Sequence, residues 1–417
     1  MEKSKRMKTG AEQKELPLYY GSPSSPALRF EVHARCGKAR ASTLHLPHHS
    51  ALTPMFMPVG TQGTVKGLTP DQLSEDLYGV DAQVILGNTY HLALRPGGEI
   101  IRQLGGIHEF SRWSRGVLTD SGGFQMVSLL RFSKVSESGV FFQSPVDGSA
   151  MELTPEKSIE IQNDIGADII MALDDVISSQ TTGERVKEAC YRTLRWIDRC
   201  NAAHKRKKEQ NLFGIVQGGL DKELRKICCK GLTERNLPGY AIGGLSGGEE
   251  KDKFWRIVDI CTDLLPEDKP RYCMGVGYPE DLVVCVMLGA DMFDCVYPAR
   301  TARFGTALVP QGLLKMKQSS MATDFRTVDD TCGCYTCKHY TRAYLHILFV
   351  KNNSVGAQLL TLHNIAYLTQ LMRRARSAIL EGKFPRFVQQ FMKNRFGSTN
   401  YPEWIRNATS KAGIALL

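Results

Sequence analysis

The sequence contains no apolar run long enough to cross a membrane. Its longest apolar runs, such as Ile169–Leu173 and Leu282–Leu288, are far shorter than the roughly 18 residues that a bilayer-spanning helix needs. The first residues are polar or charged and no apolar stretch follows them, so they do not resemble a secretory signal. We therefore expect a soluble, cytoplasmic protein whose 12 cysteines serve as buried thiols or metal ligands rather than as disulfides.

Two loop motifs of common enzyme classes are also missing. The glycine-rich segment Gly243–Glu249 lacks the lysine that a phosphate-binding loop places before a serine or threonine. No serine between spaced glycines follows a predicted strand, which excludes a nucleophile elbow. The glycines of Gly243–Glu249 therefore either let a ligand approach the backbone amides closely or form a tight turn.

Acidic residues are fewer than basic ones. The chain carries 43 aspartates and glutamates against 53 lysines and arginines, which gives a net charge of +10. This excess favours a polyanionic partner, because lysine and arginine gain affinity by displacing counterions from phosphates. Any single basic cluster could be a solvated helix face. Basic clusters recur after residue 370, however, and this recurrence favours a shared basic face. Its residues are Arg373, Arg374, Arg376, Lys383, Arg386, Lys393 and Arg395.

Short apolar runs of strand-like composition recur along the chain, and most of them are followed by a helix-like stretch. Thr69-Pro70 and Thr154-Pro155 are typical of helix starts, where a capping side chain precedes a proline. Strands that alternate with helices predict an α/β fold, of which the simplest closed form is a (β/α)8 TIM barrel. An open doubly wound sheet is the alternative. The predicted strands are Pro54–Gly60, Gln83–Asn88, Gly116–Asp120, Asp168–Asp174, Leu212–Gln217, Tyr240–Leu245, Arg271–Gly277 and Asp291–Asp294.

The chain divides into one large domain and two short ends. Residues 1–27 are polar and include Gly21–Pro26, which is typical of a flexible N-terminal tail. Residues 28–400 form the predicted barrel, and residues 401–417 are assigned to a C-terminal tail. Inside the barrel domain, Asp147-Gly148 between β-rich flanks predicts a hairpin over Val140–Leu153.

Polar residues stand where the predicted strands end. Active groups of a (β/α)8 barrel cluster at this edge, so the residues concerned should converge on one mouth. A single aspartate in such a place is commonly a helix cap or a turn residue, but three at corresponding ends favour a site. The strand-end residues are Gly60, Asn88, Asp120, Asp174, Gln217, Gly244, Met274 and Asp294.

Two of the three aspartates have informative neighbours. Asp120 is followed closely by Phe124, and a carboxylate beside an aromatic face suits a planar, hydrogen-bonding ligand such as a nucleobase. Asp294 is followed by Arg300 and Arg303. Guanidinium groups would keep the Asp294 carboxylate ionised, as an oxygen nucleophile requires, and could also hold the phosphates that flank a reacting nucleotide.

A cysteine triplet near the C-terminus predicts a metal site. Three thiolates and one imidazole make a closed tetrahedral zinc site, so the zinc would be structural and would stabilise an insertion over residues 307–363. We favour His363 over His339 and His346 because it lies in a helical run that can supply it rigidly. Buried thiols that merely lie close together are the alternative. The predicted ligands of the one Zn²⁺ are Cys332, Cys334, Cys337 and His363.

These motifs together resemble the tRNA-guanine transglycosylase family, and within it the catalytic chains of the eukaryotic queuine tRNA-ribosyltransferases. The resemblance covers about residues 28–395 and implies an irregular (β/α)8 TIM barrel with a zinc-binding insertion near the C-terminus. It also implies the replacement of guanine by queuine at the wobble position of GUN-anticodon tRNAs, those for aspartate, asparagine, histidine and tyrosine. The motifs are Asp120–Gln125, Ala172–Asp175, Phe213–Gly219, Ala241–Glu249, Met274–Gly277, Phe293–Arg303 and the zinc set.

The resemblance also assigns roles at the site. It implies that Asp294 attacks the ribose and holds a covalent ribosyl intermediate, while Asp120 is the general acid and base. It implies that Asp174 accepts hydrogen bonds from the base and that Gln217 and the Gly244 amide donate to the base carbonyl. The remaining residues that it implies in base binding are Ser121, Phe124, Leu245, Gly247 and Met274, and Arg300 and Arg303 would contact the tRNA.

One position bears on the choice of base. Bacterial relatives carry valine where this chain has Gly247 and cysteine where it has Val176, and they use a smaller precursor base. Gly247 would leave room for the cyclopentenediol of queuine, although it could also be a turn glycine. The resemblance further implies a heterodimer with a paralogous, non-catalytic accessory subunit, and peripheral association with the outer mitochondrial membrane.

Two other functions remain for comparison. A zinc hydrolase on a barrel would need histidines at the strand ends, and the predicted ends offer none. A non-catalytic tRNA-binding accessory subunit would not need all three of Asp120, Asp174 and Asp294. Their presence together favours catalysis.

Overall fold

The structure is a computed structural model that describes residues 26–123, 134–143 and 149–417. Its centre is a barrel of eight parallel strands. Its strands are β4 (Met55–Pro58), β5 (Val84–Gly87), β6 (Gly116–Thr119), β10 (Ile169–Met171), β11 (Asn211–Val216), β12 (Gly239–Ile242), β13 (Arg271–Cys273) and β14 (Met292–Cys295). They pair in this order, β14 returns to β4, and an isolated bridge from Val59 to Leu86 joins the β4 and β5 segments.

All eight predicted strands are confirmed, and the closure of the sheet decides between the two architectures in favour of the barrel. Antiparallel sheets complete the β structure of the described residues. One covers the amino end of the barrel with β1 (Arg29–Cys36), β2 (Ala39–His45) and β3 (Ser50–Thr53). The others contain β7 (Lys134–Val135), β8 (Val140–Gln143) and β9 (Ala150–Leu153), and then β15 (Thr306–Val309) and β16 (Gly312–Lys315).

Helices surround the barrel, and the predicted starts are confirmed. Thr69 and Thr154 each accept a hydrogen bond from the backbone three residues later, ahead of a proline at the first helical position. The helices of the described residues are α1 (Pro70–Ser74), α2 (Thr89–Leu94), α3 (Gly98–Gln103), α4 (Ile107–Ser111), α5 (Pro155–Ile165), α6 (Glu184–Ala203), α7 (Lys222–Thr233), α8 (Lys251–Leu264), α9 (Pro279–Met287), α10 (Tyr297–Arg303), α11 (Tyr335–His339), α12 (Arg342–Val350), α13 (Ser354–Leu380), α14 (Phe384–Phe396) and α15 (Glu403–Lys411). None of them combines the length and apolar composition that a membrane span requires.

Side chains of the barrel strands alternate between two cores. Inward positions such as Met57, Leu118 and Ile215 fill the barrel together with Leu44 of β2. Outward positions such as Phe293 pack against the helices. Because the interior is filled and the sheet β1–β3 covers the amino end, the described residues leave an open mouth at the carboxyl end of the barrel.

A buried carboxylate stabilises the closed amino end. Asp168 precedes β10, and its two oxygens contact the His48 Nδ1 at 2.7 Å and the His108 Nε2 at 3.0 Å. The same carboxylate accepts the backbone N–H of Val117 at 2.8 Å. The two imidazoles lie nearly parallel, with ring centroids 3.6 Å apart. These contacts connect the β2–β3 turn, α4 and two barrel strands. Burial alone would raise the pKa of Asp168, but the hydrogen bonds from His108 and His48 outweigh it and hold the pKa well below its usual range.

The predicted hairpin is confirmed, because β8 pairs antiparallel with β9 up to Gln143 and Ala150, while Asp147-Gly148 lies outside the described residues. At the N-terminus, residues 1–25 lie outside the described part, but Ala27 is buried and its carbonyl accepts a hydrogen bond from the Asn211 amide. Residues 401–417, assigned from sequence to a C-terminal tail, instead include helix α15. Its buried Ile405 and Ala408 form an apolar stripe on a helix that packs against α8.

Candidate active site and metal centre

Asp120 lies at the end of β6, where its carboxylate meets the start of α2. The Asn88 side chain caps this helix and also donates its amide to Asp120 Oδ2 at 2.7 Å. The backbone N–H groups of Thr89 and Gly122 donate to Oδ1 at 3.0 and 3.1 Å. These three donors fix the orientation of the Asp120 carboxyl group at the start of α2.

Asp294 is held by a neighbouring strand. The Tyr272 hydroxyl of β13 donates to Asp294 Oδ1 at 2.5 Å, and the Gly275 N–H donates to the same oxygen at 2.8 Å. Burial raises the pKa of Asp294, and these two hydrogen bonds oppose the rise. Since both donors bind Oδ1, the other oxygen receives no hydrogen bond from either of them.

The expected role of the two arginines in ionising Asp294 is wrong. Arg300 and Arg303 are exposed on α10, and within the described residues neither forms an ion pair with Asp294. Tyr272 and Gly275 supply the stabilising contacts instead. The two arginines lie within one helix beside the mouth, where they can still contact a ligand outside the barrel.

Tyr272 is the side chain that binds the Asp294 carboxylate. It is completely buried at an inward position of β13, and burial together with the charges of Asp294 and Asp120 raises its pKa well above its usual value. The phenol therefore stays protonated and donates to Asp294. Sequence reasoning missed this residue, although an inward-facing polar side chain one strand away from Asp294 was the available signal.

Asp174 and Gln217 form a second polar pair at the ends of β10 and β11. The Gln217 Nε2 donates to Asp174 Oδ2 at 2.7 Å. Burial raises the pKa of Asp174 to about 6, against hydrogen bonds from Gln217 and Ser121. The adjacent Asp175 instead pairs with Arg185 and Arg192, each at 2.5 Å. Of two neighbouring aspartates, one is thus neutralised by arginines and the other is left facing the mouth.

The glycine loop after β12 approaches Gln217 closely. Gly244 has φ of +67°, and a Cβ there would collide with the Gln217 side chain, so only glycine fits. The buried Arg225 supports this arrangement from behind. It donates to the carbonyls of Val216 and Gly243 at 2.7 and 2.8 Å and thereby fixes the ends of two strands.

The outer part of the same loop is fixed by a carboxylate. Glu249 accepts the backbone N–H groups of Ser246 and Gly247 at 2.6 and 2.9 Å.

The other predicted base-binding residues lie around the same opening. Leu245 and Met274 are half-buried beside the mouth. Of the other predicted site residues, Ser121 is buried and lies close enough to Asp174 to hydrogen-bond with it. Phe124 lies outside the described residues.

The four predicted metal ligands come together in the insertion after β14. Their ligand atoms all lie within 4.8 Å of one another, and all four side chains are buried. The His363 Nδ1 lies 3.3 Å from the Cys337 Sγ and 3.6 Å from the Cys334 Sγ. The other ring nitrogen of His363 contacts the Leu308 carbonyl at 2.8 Å, which orients the free lone pair of Nδ1 towards the sulfurs. The donor set therefore fits a metal ion.

His339 and His346 are not part of this group. His339 packs on Tyr335, and His346 contacts the Met316 carbonyl at 2.7 Å. The metal centre is separate from the strand ends, whose side chains are carboxylates, carboxamides, a phenol and a thioether in the described part of the chain. The mouth thus offers one carboxylate for attack, a second for proton transfer, and a donor–acceptor pair for a planar ligand.

Comparison with known proteins identifies one family. The family model described as "Queuine tRNA-ribosyltransferase" matches residues 35–397. The chain is 51% identical over 405 residues to the queuine tRNA-ribosyltransferase catalytic subunit of Schizosaccharomyces pombe, covering 94% of this chain and 99% of that protein. It is 51% identical over 404 residues to the Caenorhabditis elegans catalytic subunit, covering 93% and 100%. It is 49% identical over 385 residues to a queuine tRNA-ribosyltransferase of Thermus thermophilus, covering 92% and 98%.

Proposed function

Since this chain belongs to the queuine tRNA-ribosyltransferase family and is a tRNA-guanine transglycosylase, we propose that it replaces guanine with queuine at the wobble position of GUN-anticodon tRNAs. These are the tRNAs for aspartate, asparagine, histidine and tyrosine. The observation that carries the proposed chemistry is the convergence of three carboxylates at the ends of barrel strands, with Asp120 held by Asn88, Asp294 by Tyr272 and Asp174 by Gln217. We also assign the protein to the cytoplasm.

The exchange proceeds by two displacements at the ribose. Asp294 attacks C1′ with its carboxylate and forms a ribosyl ester, while the bond to guanine breaks and Asp120 protonates the departing base. Asp120 then takes a proton from the incoming queuine, whose nitrogen attacks C1′ and releases Asp294. Two inversions give net retention, as in retaining glycosidases. Arg300 and Arg303 contact the phosphates around the reacting nucleotide.

Base recognition requires Asp174 in its ionised form. A carboxylate can accept both the N1–H and the amino group of guanine, whereas a protonated carboxyl cannot. Gln217 retains a second N–H of its amide for the base carbonyl while the first binds Asp174.

Guanine binding is therefore expected to weaken about tenfold per pH unit once the pH falls below about 6, because burial raises the pKa of Asp174 to about 6. Binding of labelled guanine measured against pH tests this. The Asp294→Asn variant is the control, and it should show the same pH dependence because Asp294 does not contact the base edge. Affinity that stays constant from about pH 5 to about pH 8 would contradict this role.

The Tyr272→Phe variant is expected to lower kcat by about 10- to 100-fold with little change in KM. Without the phenol, Asp294 loses one of two hydrogen bonds that oppose the effect of burial, so the acid limb of its rate profile should move to higher pH. Tyr240→Phe is the matched control, because Tyr240 is equally buried but its hydroxyl accepts the Leu237 N–H at 3.1 Å. A rate loss with an unmoved pH profile would show that Tyr272 acts only through packing.

The metal in the Cys332, Cys334, Cys337 and His363 group is proposed to be Zn²⁺ with a structural role. The donor set supports this, since four protein ligands leave no open position for a substrate or a reactive water. A metal ion held by these ligands would tie the insertion to helix α13, which carries His363.

We also propose that the chain pairs with a paralogous, non-catalytic accessory subunit. Support comes from helix α12, whose outer face carries Tyr344, Ile347 and Val350 with 44%, 46% and 50% of their surfaces exposed. These residues recur at helical spacing, and Tyr344 stacks on Tyr340 with ring centroids 5.3 Å apart. An apolar stripe of this kind is typical of a protein interface.

The experiment is incorporation of labelled guanine or queuine into unmodified GUN-anticodon tRNA. The chain is assayed alone and with the accessory subunit, against a tRNA that lacks guanine at the wobble position. Incorporation confined to the GUN tRNA is expected. If neither condition gives incorporation while metal and tRNA are bound, the chain is a binding subunit and the roles of Asp120 and Asp294 are wrong.

A further inference from the structure

Arg225 is a charged side chain that the fold buries completely behind the base-recognition residues. Its three hydrogen bonds all go to backbone carbonyls, those of Gly219 at 2.8 Å, Val216 at 2.7 Å and Gly243 at 2.8 Å. Asp221, one turn earlier, caps helix α7 with its carboxylate, and within the described residues Arg225 forms no ion pair. Burial of a charge without a counter-ion is unfavourable. A link between two strand ends would not need a charge, so the charge itself calls for a use.

The Gly243 carbonyl connects this charge to the mouth of the barrel. It belongs to the same peptide unit as the Gly244 N–H, which donates to no acceptor among the described residues. Because a peptide unit is conjugated, a cation bound to its oxygen draws electron density from its nitrogen and makes the N–H a stronger donor. The Val216 carbonyl shares its peptide unit with the Gln217 N–H, which already binds the Cys228 sulfur at 3.2 Å. The Gly244 N–H is therefore the polarised donor that a ligand can use.

The departing base is the group that needs such a donor. When the bond between C1′ of the ribose and N9 of guanine breaks, both of its electrons stay with the base. Conjugation then places part of the negative charge on the carbonyl oxygen of the base, while Asp120 supplies the proton. A donor to that oxygen is bound more strongly in the transition state than in the ground state, and such a difference raises kcat rather than lowering KM.

We propose that Arg225 is a positioning residue that polarises the Gly244 amide and thereby stabilises the negative charge that develops on the carbonyl oxygen of the departing base. This role rests on the proposed function and on the donation of the Gly244 N–H to that oxygen. Arg225 acts across one peptide unit and contacts neither the base nor the ribose. The incoming base has the same carbonyl and passes through the corresponding transition state in reverse, so the same residue serves both displacements.

Two substitutions separate the charge of Arg225 from its shape. Arg225→Lys keeps the positive charge and Arg225→Gln is neutral, and each retains a donor for a carbonyl, so both should fold. Arg225→Gln is expected to lower kcat for guanine exchange about tenfold with little change in KM, and Arg225→Lys should retain most of the rate. Arg376→Gln is the matched control and should keep the wild-type kcat. One nitrogen of Arg376 likewise binds two carbonyls, those of Ser42 at 2.5 Å and Thr53 at 2.7 Å, at the amino end of the barrel.

The infrared carbonyl stretch of bound guanine measures the polarisation without turnover. Guanine that carries a heavy oxygen isotope in its carbonyl should show this band at a lower frequency on the wild-type protein and Arg225→Lys than on Arg225→Gln. Equal frequencies on the three proteins, or equal losses of kcat in the two variants, would make Arg225 a structural link and overturn the proposal. A wild-type protein that neither binds nor exchanges guanine would instead overturn the proposed function, so the two failures are distinguishable.

Discussion

The Asp294→Asn variant is expected to lose base exchange by at least about a thousandfold while it still binds tRNA. A carboxamide has nearly the shape of the carboxylate but is a far weaker nucleophile towards C1′. Its oxygen can still accept from Tyr272 and Gly275, as Oδ1 does now. The fold and the tRNA surface should therefore survive, and only the covalent step should fail. Incorporation of labelled guanine measures the loss, and a filter-binding assay measures tRNA affinity.

A denaturing gel provides an independent measurement of the same step. Wild-type protein mixed with tRNA and then denatured should retain a fraction of RNA joined through the ester, and Asp294→Asn should retain none. Asp120→Asn serves as the comparison, because it removes the carboxylate at the end of β6 and leaves Asp294 in place. An ester that survives in Asp294→Asn but disappears in Asp120→Asn would reverse the two roles.

The barrel could be predicted from sequence because its pattern is local. Each strand is a short apolar run, and most runs end on a polar residue or a glycine, such as Asp120, Asp174 or Gln217. Closure of the barrel then brings these ends together without further information. The cysteine triplet was equally visible, since three ligands lie within six consecutive residues.

Contacts between distant segments could not be predicted in this way. Alternation along β13 indicates that Tyr272 faces inward, but its pairing with Asp294 depends on the register of β13 against β14, which the sequence does not show. The requirement for glycine at position 244 likewise depends on the Gln217 side chain, which a Cβ at Gly244 would meet only once β11 and β12 are placed side by side. For Arg300 and Arg303 the sequence predicted a contact with Asp294 that the structure does not contain. They are close to Asp294 in sequence, but helix α10 turns their side chains outward to solvent.

The Cys334→Ser variant is expected to lose its metal and to lower the free energy of unfolding by several kcal/mol, given the roughly 10 kcal/mol or more that a structural zinc site can supply. Cys334 is fully buried against the other ligands, so no solvent ligand can take the place of its thiolate. Metal content and thermal unfolding with and without a chelator test this. Cys36→Ser is the control, because Cys36 is half-buried in β1, outside the cluster. A metal-free variant that unfolds at the wild-type temperature would contradict a structural role.

Loss of this metal should also reduce catalysis, because the ligand helix is connected to the active site. Asn364 follows His363 on α13 and donates to the carbonyls of Pro298 and Thr306, each at 3.0 Å. Pro298 belongs to α10, which begins only three residues after Asp294. Without the metal, α13 loses the fixed position of His363, and the segment that leads away from the nucleophile loses its support. We therefore expect kcat to fall in the metal-free protein below its unfolding temperature, with the rate restored when Zn²⁺ is returned to chelator-treated wild-type enzyme.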